Sequence, residues 1–103
     1  MFMPPDVTKQ PQIEAAVRDI INGARAHVID ISFEFGKDWT GEWAIFFHVV
    51  LRNQASKGMM LGRVTTEVRR RLAEKLKALD IRLIGYSDFR SESEIAEMQR
   101  GLG

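Results

Sequence analysis

Cysteine is absent from the 103 residues. That excludes disulfides, thiolate metal sites and thiol catalysis. Histidine is scarce, at two residues, so imidazole chemistry would have to come from His27 or His48. An excess of one charge is lacking too, because 15 Lys and Arg against 14 Asp and Glu leave +1. No global attraction to nucleic acid or to an anionic membrane follows, although a local basic patch stays open. No apolar run reaches the roughly 18 residues that a membrane span needs. Met1-Phe2-Met3-Pro4-Pro5-Asp6 lacks the basic start and apolar core of a signal peptide. The expectation is a soluble, cytoplasmic protein with no membrane partner.

What is present is a strand that is apolar on both faces. Trp43, Ile45, Phe47, Val49 and Leu51 point one way, and Ala44, Phe46, His48, Val50 and Arg52 the other. A strand with one wet face would alternate apolar with polar. This stretch therefore reads as the central strand of a small sheet covered on both sides. A chain of this length forms one domain and buries roughly two-thirds of its unfolded surface.

The remaining elements follow from periodicity. Residues 1–10 carry two prolines and read as an extended N-terminal arm, with Phe2 and Met3 available to a partner. Residues 11–103 form the single domain. Pro11 suits the start of a helix, and Ile13, Ala16, Val17, Ile20, Ile21 and Ala24 give it one apolar face. Asn22-Gly23 offers its end. From Val28 the period changes to two, with Ile29, Ile31, Phe33 and Phe35 on one face. A hairpin to the Trp43 strand follows. Centring its loop at Trp39 pairs Phe35 with Trp43, Phe33 with Ile45, Ile31 with Phe47 and Ile29 with Val49. On the other face it sets Asp30 beside His48. Shifts of two residues keep the faces matched.

A long helix over about residues 60–79 carries Leu61, Val64, Val68, Leu72, Leu76 and Leu79, and Asp80 closes it. Residues 81–86 read as a third strand. Ser91-Glu-Ser-Glu94 is a capping box for a short last helix, which Gly101 stops. The expected fold is α+β, in the order α-β-β-α-β plus a C-terminal helix. The three-stranded mixed sheet has order 1-2-3, its second strand central, with helices on one face. The right-handed crossover makes the third strand parallel to the second. The alternative order 2-1-3 would leave an apolar strand at an edge.

Candidate chemistry is sparse. His48, Asp30 and Ser32 on one face invite a hydrolase reading. A nucleophile in mid-strand on a flat sheet would, however, lack the elbow and oxyanion donors that acyl transfer needs. His27 and His48 are far apart and belong to no metal motif. No catalytic residue, metal site or cofactor is assigned, and the balance favours a protein that is not an enzyme. A site using His48, Asp30 and Tyr86 in a pocket between subunits stays open as a third reading. The two indoles of Trp39-Thr-Gly-Glu-Trp43 divide: Trp43 is expected on the core, while Trp39 is free to contact a ligand.

The most informative feature is the sheet face turned away from the first two helices. Phe46, His48, Val50, Ile84 and Tyr86 fall there as interface candidates. Contiguous apolar surface of that kind is covered by a partner or by another element. The C-terminal helix could cover it through Ile95 and Met98, or a second copy could. The reading favours a homodimer, since two-fold dimers are the commonest oligomers. A helical stripe of Arg63, Arg70 and Lys77 is the candidate for RNA or phosphate contact, weighed against a solvated face.

The α-β-β-α-β order, the two paired strands and the acidic C-terminal helix resemble ribosome-binding factor A and its type II KH fold. That resemblance implies a cytoplasmic RNA-binding domain of the ribosome-assembly type. A KH clamping loop reads Gly-x-x-Gly, and the matching stretch here is Gly58-Met-Met-Leu-Gly62, one residue longer. The segments Trp39-Thr-Gly and Phe89-Arg-Ser-Glu-Ser-Glu94 also resemble small bacterial proteins of uncharacterised function. The leading reading is a non-catalytic interaction module that self-associates through the open sheet face. The KH-like RNA-binding domain is the alternative.

Overall fold

The computed structural model describes residues 7–102. The expected contacts of Phe2 and Met3 lie outside the described residues. The described residues open with a short 3-10 turn, Val7–Lys9, which leads straight into helix α1, Gln10–Gly23. Strand β1 spans Val28–Lys37 and strand β2 Trp43–Leu51. After a second 3-10 turn at Asn53–Ser56 comes helix α2, Gly58–Ala78. Strand β3 covers Ile84–Ser91, and helix α3, Glu92–Leu102, follows with no linker. The sheet has order β1-β2-β3, with β1 antiparallel and β3 parallel to β2.

The two-sided strand is central. Its odd-numbered residues Ile45, Phe47, Val49 and Leu51 are buried, and α1 and α2 pack over them. From α1 come Ile13, Val17 and Ile20, and from α2 Val64, Val68, Leu72 and Leu76. The four α2 residues repeat every fourth position and so fall in one row down the helix. Leu61, expected in that stripe, is 37% exposed.

The hairpin register differs from the expectation by two residues. Phe35 faces Ile45, Phe33 faces Phe47, Ile31 faces Val49, and Ser32 rather than Asp30 faces His48. The loop is the cause. Asp38 Oδ1 accepts from the Thr40 hydroxyl at 2.6 Å and from the Thr40 and Glu42 amides at 2.9 and 3.2 Å. Gly41 takes φ +86, which a side chain would resist. An aspartate folding its own turn and a left-handed glycine centre the loop at Thr40.

A bulge between Val28 and Asp30 makes a second correction. It turns Val28 inward, to 1% exposure, and leaves Ile29 at 36%. One extra residue in a strand reverses the facing of whatever precedes it.

The third strand lies three residues later than expected at its start and runs on to Ser91. The end of α2 takes up the intervening chain. Asp80 adopts φ 55, its amide donates to Lys77 O, and the Ile81 amide donates to Leu76 O. That is the Schellman pattern, in which the residue two past the cap packs on the helix's last turn. Ile81 and Leu76 are both buried accordingly. Ile81 is thus part of the helix stop, not the first residue of a strand. The Lys9 ammonium also donates to Leu79 O and Asp80 O, at 2.9 and 3.2 Å, where the helix end is negative.

The capping box forms as expected. Glu94 N donates to Ser91 Oγ at 3.1 Å and Ser91 N to Glu94 Oε1 at 3.3 Å. Asn53 completes it from a distant loop, its Oδ1 accepting from the Ser93 amide and hydroxyl. The start of α3 is therefore pinned beside the end of β2. No helix of the described residues is long and apolar enough to cross a membrane.

Candidate functional site

The sheet face away from α1 and α2 is built from alternate residues of three strands. β1 contributes Asp30, Ser32, Glu34 and Gly36; β2 contributes Ala44, Phe46, His48 and Val50; β3 contributes Ile84, Tyr86, Asp88 and Arg90. All five interface candidates fall here together. The pleat dictates this once β2 is central, because each strand shows every second residue to one side.

The face divides into three zones. At one end α3 leans over the sheet. Ile95 and Met98 border a shallow depression of about 160 Å³ with His48, Val50, Asp88 and Arg90. The middle is polar. His48 spans all three strands, with Nδ1 2.7 Å from Asp88 Oδ2 and Nε2 3.3 Å from Glu34 Oε1. Partial burial opposes the imidazolium, but hydrogen bonds to Asp88 and Glu34 and their negative charges outweigh it. The pKa is raised above the ordinary 6.5.

The far end is aromatic and carries no helix. Phe46 and Tyr86, paired across β2 and β3, stack with centroids 5.5 Å apart and planes 20° from parallel. Trp39 leans onto Tyr86 at 5.4 Å. On the other side, Phe46 lies over Gly36, where a Cβ would come within 3.2 Å of the ring. The Tyr86 hydroxyl donates to Asp38 Oδ2 at 2.8 Å, so the carboxylate that folds the hairpin loop also fixes the phenol. Trp39 remains 82% exposed and Ile84 54%. Trp43, by contrast, points to the inner face and carries the Lys37 ammonium 5.2 Å above its ring.

The sequence-based triad does not assemble. Asp30 faces Val50, while Ser32 is the direct neighbour of His48. Both imidazole nitrogens are engaged by Glu34 and Asp88, which leaves neither as a free base toward a serine. Periodicity could not reveal either partner. Glu34 is a diagonal neighbour, and Asp88 lies in the part of β3 beyond the expected strand. His27 sits before β1, its carbonyl accepting from Arg52 N. Among the described residues, no cluster of three or more His, Asp or Glu is placed to hold a metal ion.

The basic stripe is partly neutralised. Arg70 is gripped by Glu67 and Glu74, and Glu67 also takes Arg71. Those arginine contacts lower Glu67 to about 2. Arg63 and Lys77 have no ion pair among the described residues. They lie fourteen positions apart, about 21 Å along a helix. Gly58-Met-Met-Leu-Gly62, where the KH resemblance would put a clamping loop, is the first turn of α2.

A larger concavity that the sequence did not announce lies between α2 and β3. It encloses about 630 Å³. Its floor is Phe47, Leu72, Leu76, Ile81 and Leu83, and Arg69, Lys77 and Arg82 stand around it. Compared with protein-family models, curated proteins and solved structures, the chain matches none.

Proposed function

We propose that the protein is a small interaction module whose working surface is the helix-free end of the sheet, and that it self-associates there. The observation that carries this is the run of Trp39, Tyr86, Phe46 and Ile84. Two members of it are more than half exposed while the other two stack beneath. Large aromatic side chains held in fixed geometry contribute contact area at little entropic cost and are enriched at interfaces. A patch on a flat sheet face can meet its own copy across a two-fold axis. The row of His48, Glu34 and Asp88 beside it would form the polar rim. The KH-like RNA reading draws on Arg63 and Lys77, which stand well apart, while Arg70 is already paired with two carboxylates.

Light scattering across a concentration series tests the proposal. The expected result is a dimer that Ile84→Glu converts to a folded monomer with an unchanged circular dichroism spectrum, because Ile84 is exposed on the subunit. A monomer at every concentration would overturn self-association. RNA binding that weakens steeply with salt and is lost in a Lys77→Glu variant would favour the other reading.

A further inference from the structure

The groove between α2 and β3 lies on the opposite side of the sheet from the aromatic patch and has a different character. Three observations meet in it. The first is shape. The cavity of about 630 Å³ is lined by five large apolar side chains, those of Phe47, Leu72, Leu76, Ile81 and Leu83. That volume falls within the usual range for ligand pockets. Gly85 lets β3 lie close against this lining, because a Cβ there would come within 3.1 Å of Leu76 and 3.3 Å of Phe47.

The second is the strand edge. β3 is the last strand of the sheet and pairs only with β2 among the described residues. The ring of Tyr86 belongs to the other face, yet Tyr86 also lines the groove. Gly85, Tyr86 and Ser87 together make this edge strand one wall of the groove. An edge strand presents outward N–H and C=O groups, which an added strand can satisfy.

The third is charge. Arg69, Lys77 and Arg82 border the groove against the single carboxylate of Asp80. Arg69 reaches across one end, donating to Ser87 Oγ at 3.3 Å with its guanidinium 5.0 Å from the Phe89 ring. Lys77 has no ion pair among the described residues, and Arg82 stands 3.9 Å from Asp80 with both side chains more than 80% exposed.

We propose that this groove binds an extended peptide carrying acidic residues beside apolar ones and adds it to β3 as a fourth strand. The backbone pairs with the β3 edge. Alternate side chains descend toward Leu72, Leu76 and Leu83, and the carboxylates meet Lys77 and Arg82. A free edge explains why the occupant is a peptide and not a compact small molecule. An apolar floor without an exposed aromatic platform disfavours single-stranded nucleic acid, which binds by base stacking.

The test is selection from a display library of random ten-residue peptides on the full chain. It is followed by anisotropy of the labelled winners and by amide NMR. Two variants at exposed positions separate groove from charge. Ala73→Trp fills the groove from the helix side, and the pair Lys77→Glu with Arg82→Glu reverses its rim. The expected winners alternate apolar residues and include at least one Asp or Glu. Each variant should weaken them at least tenfold at unchanged Tm, and wild-type amide shifts should concentrate at residues 83–87. No enrichment, or winners that bind the Ala73→Trp variant as tightly as wild type, overturns the proposal. So does a labelled oligouridine that binds and is lost in both variants while no peptide is selected.

Discussion

The Tyr86 hydroxyl donates to the Asp38 carboxylate at 2.8 Å, tying the third strand to the loop that joins the first two. The bond is the main influence on the Tyr86 titration and a lesser one on that of Asp38. The hydrogen bond to Asp38, then burial, then the carboxylate's charge raise the Tyr86 pKa above 10.0. Asp38 is lowered from 3.8, chiefly by the Thr40 hydroxyl and against some burial, with Tyr86 assisting.

Alkaline absorbance reads this directly, since the chain has one tyrosine. The phenol should ionise above 10.0 in the folded protein, and Asp38→Asn should bring the midpoint back toward that value. Stability from this group is present below 10.0 and is lost as pH rises through the folded pKa. An unchanged midpoint in the asparagine variant would show that the bond does not persist in solution.

His48 gives a second pH signature. Its folded pKa lies above 6.5, so its contribution is complete below 6.5 and disappears as pH rises through the folded value. Asp88→Asn should lower the His48 midpoint in an NMR titration more than Glu34→Gln does, because the Asp88 contact is the shorter, 2.7 against 3.3 Å. Equal effects would mean that the ring does not favour β3 over β1.

Two glycines should respond differently to a methyl group. Gly85→Ala directs its Cβ at the buried Phe47 ring and at Leu76, and overpacking of that kind costs about 1–3 kcal/mol. Gly36→Ala meets only Phe46, which is half-buried on an open face and has room to slide, so its cost should be smaller. Urea unfolding of both variants checks the order.

The start of α3 has two independent caps. Ser91→Ala removes the acceptor for the Glu94 amide, and loss of such a cap costs about 1 kcal/mol. Asn53→Ala removes the acceptor for the Ser93 amide and hydroxyl and so loosens α3 from the end of β2, although the residue 53 amide still donates to Glu92. Hydrogen exchange should speed up at the Ser93 amide in the second variant, while the Glu94 amide stays protected by Ser91.

Asp80 holds a left-handed conformation in the turn that ends α2, at φ 55. Glycine adopts that region without steric cost, so Asp80→Gly should raise stability by about 0.5–1 kcal/mol. A drop in Tm would mean that the Asp80 side chain contributes more than its exposed 3.9 Å contact with Arg82 suggests.

The element order, the central place of β2 and the common face of Phe46, His48, Val50, Ile84 and Tyr86 were legible, because each follows from a local period. Pairing partners within a face were not. Period two fixes which side a residue takes, but the register waits on loop geometry, here the Asp38 turn and the left-handed Gly41. The bulge at Ile29 leaves no mark in a stretch where Val28 and Ile29 are equally apolar. The extent of β3 was hidden because the Schellman turn uses an isoleucine that reads as strand. Asn53 capping a helix through Ser93, 40 positions away, is a tertiary relationship with no local signal.

The central strand also has a history during synthesis. β2 is complete at Leu51, and β1 already precedes it, but its other neighbour begins only at Ile84. At about 5–20 residues per second, the ribosome needs seconds to deliver α2 and then β3. Throughout that interval the most apolar strand of the chain has one side without a neighbour. Nascent chains released before Ile84 should therefore be the form that aggregates, and a ribosome pause within α2 should increase the cell's dependence on chaperones for this protein.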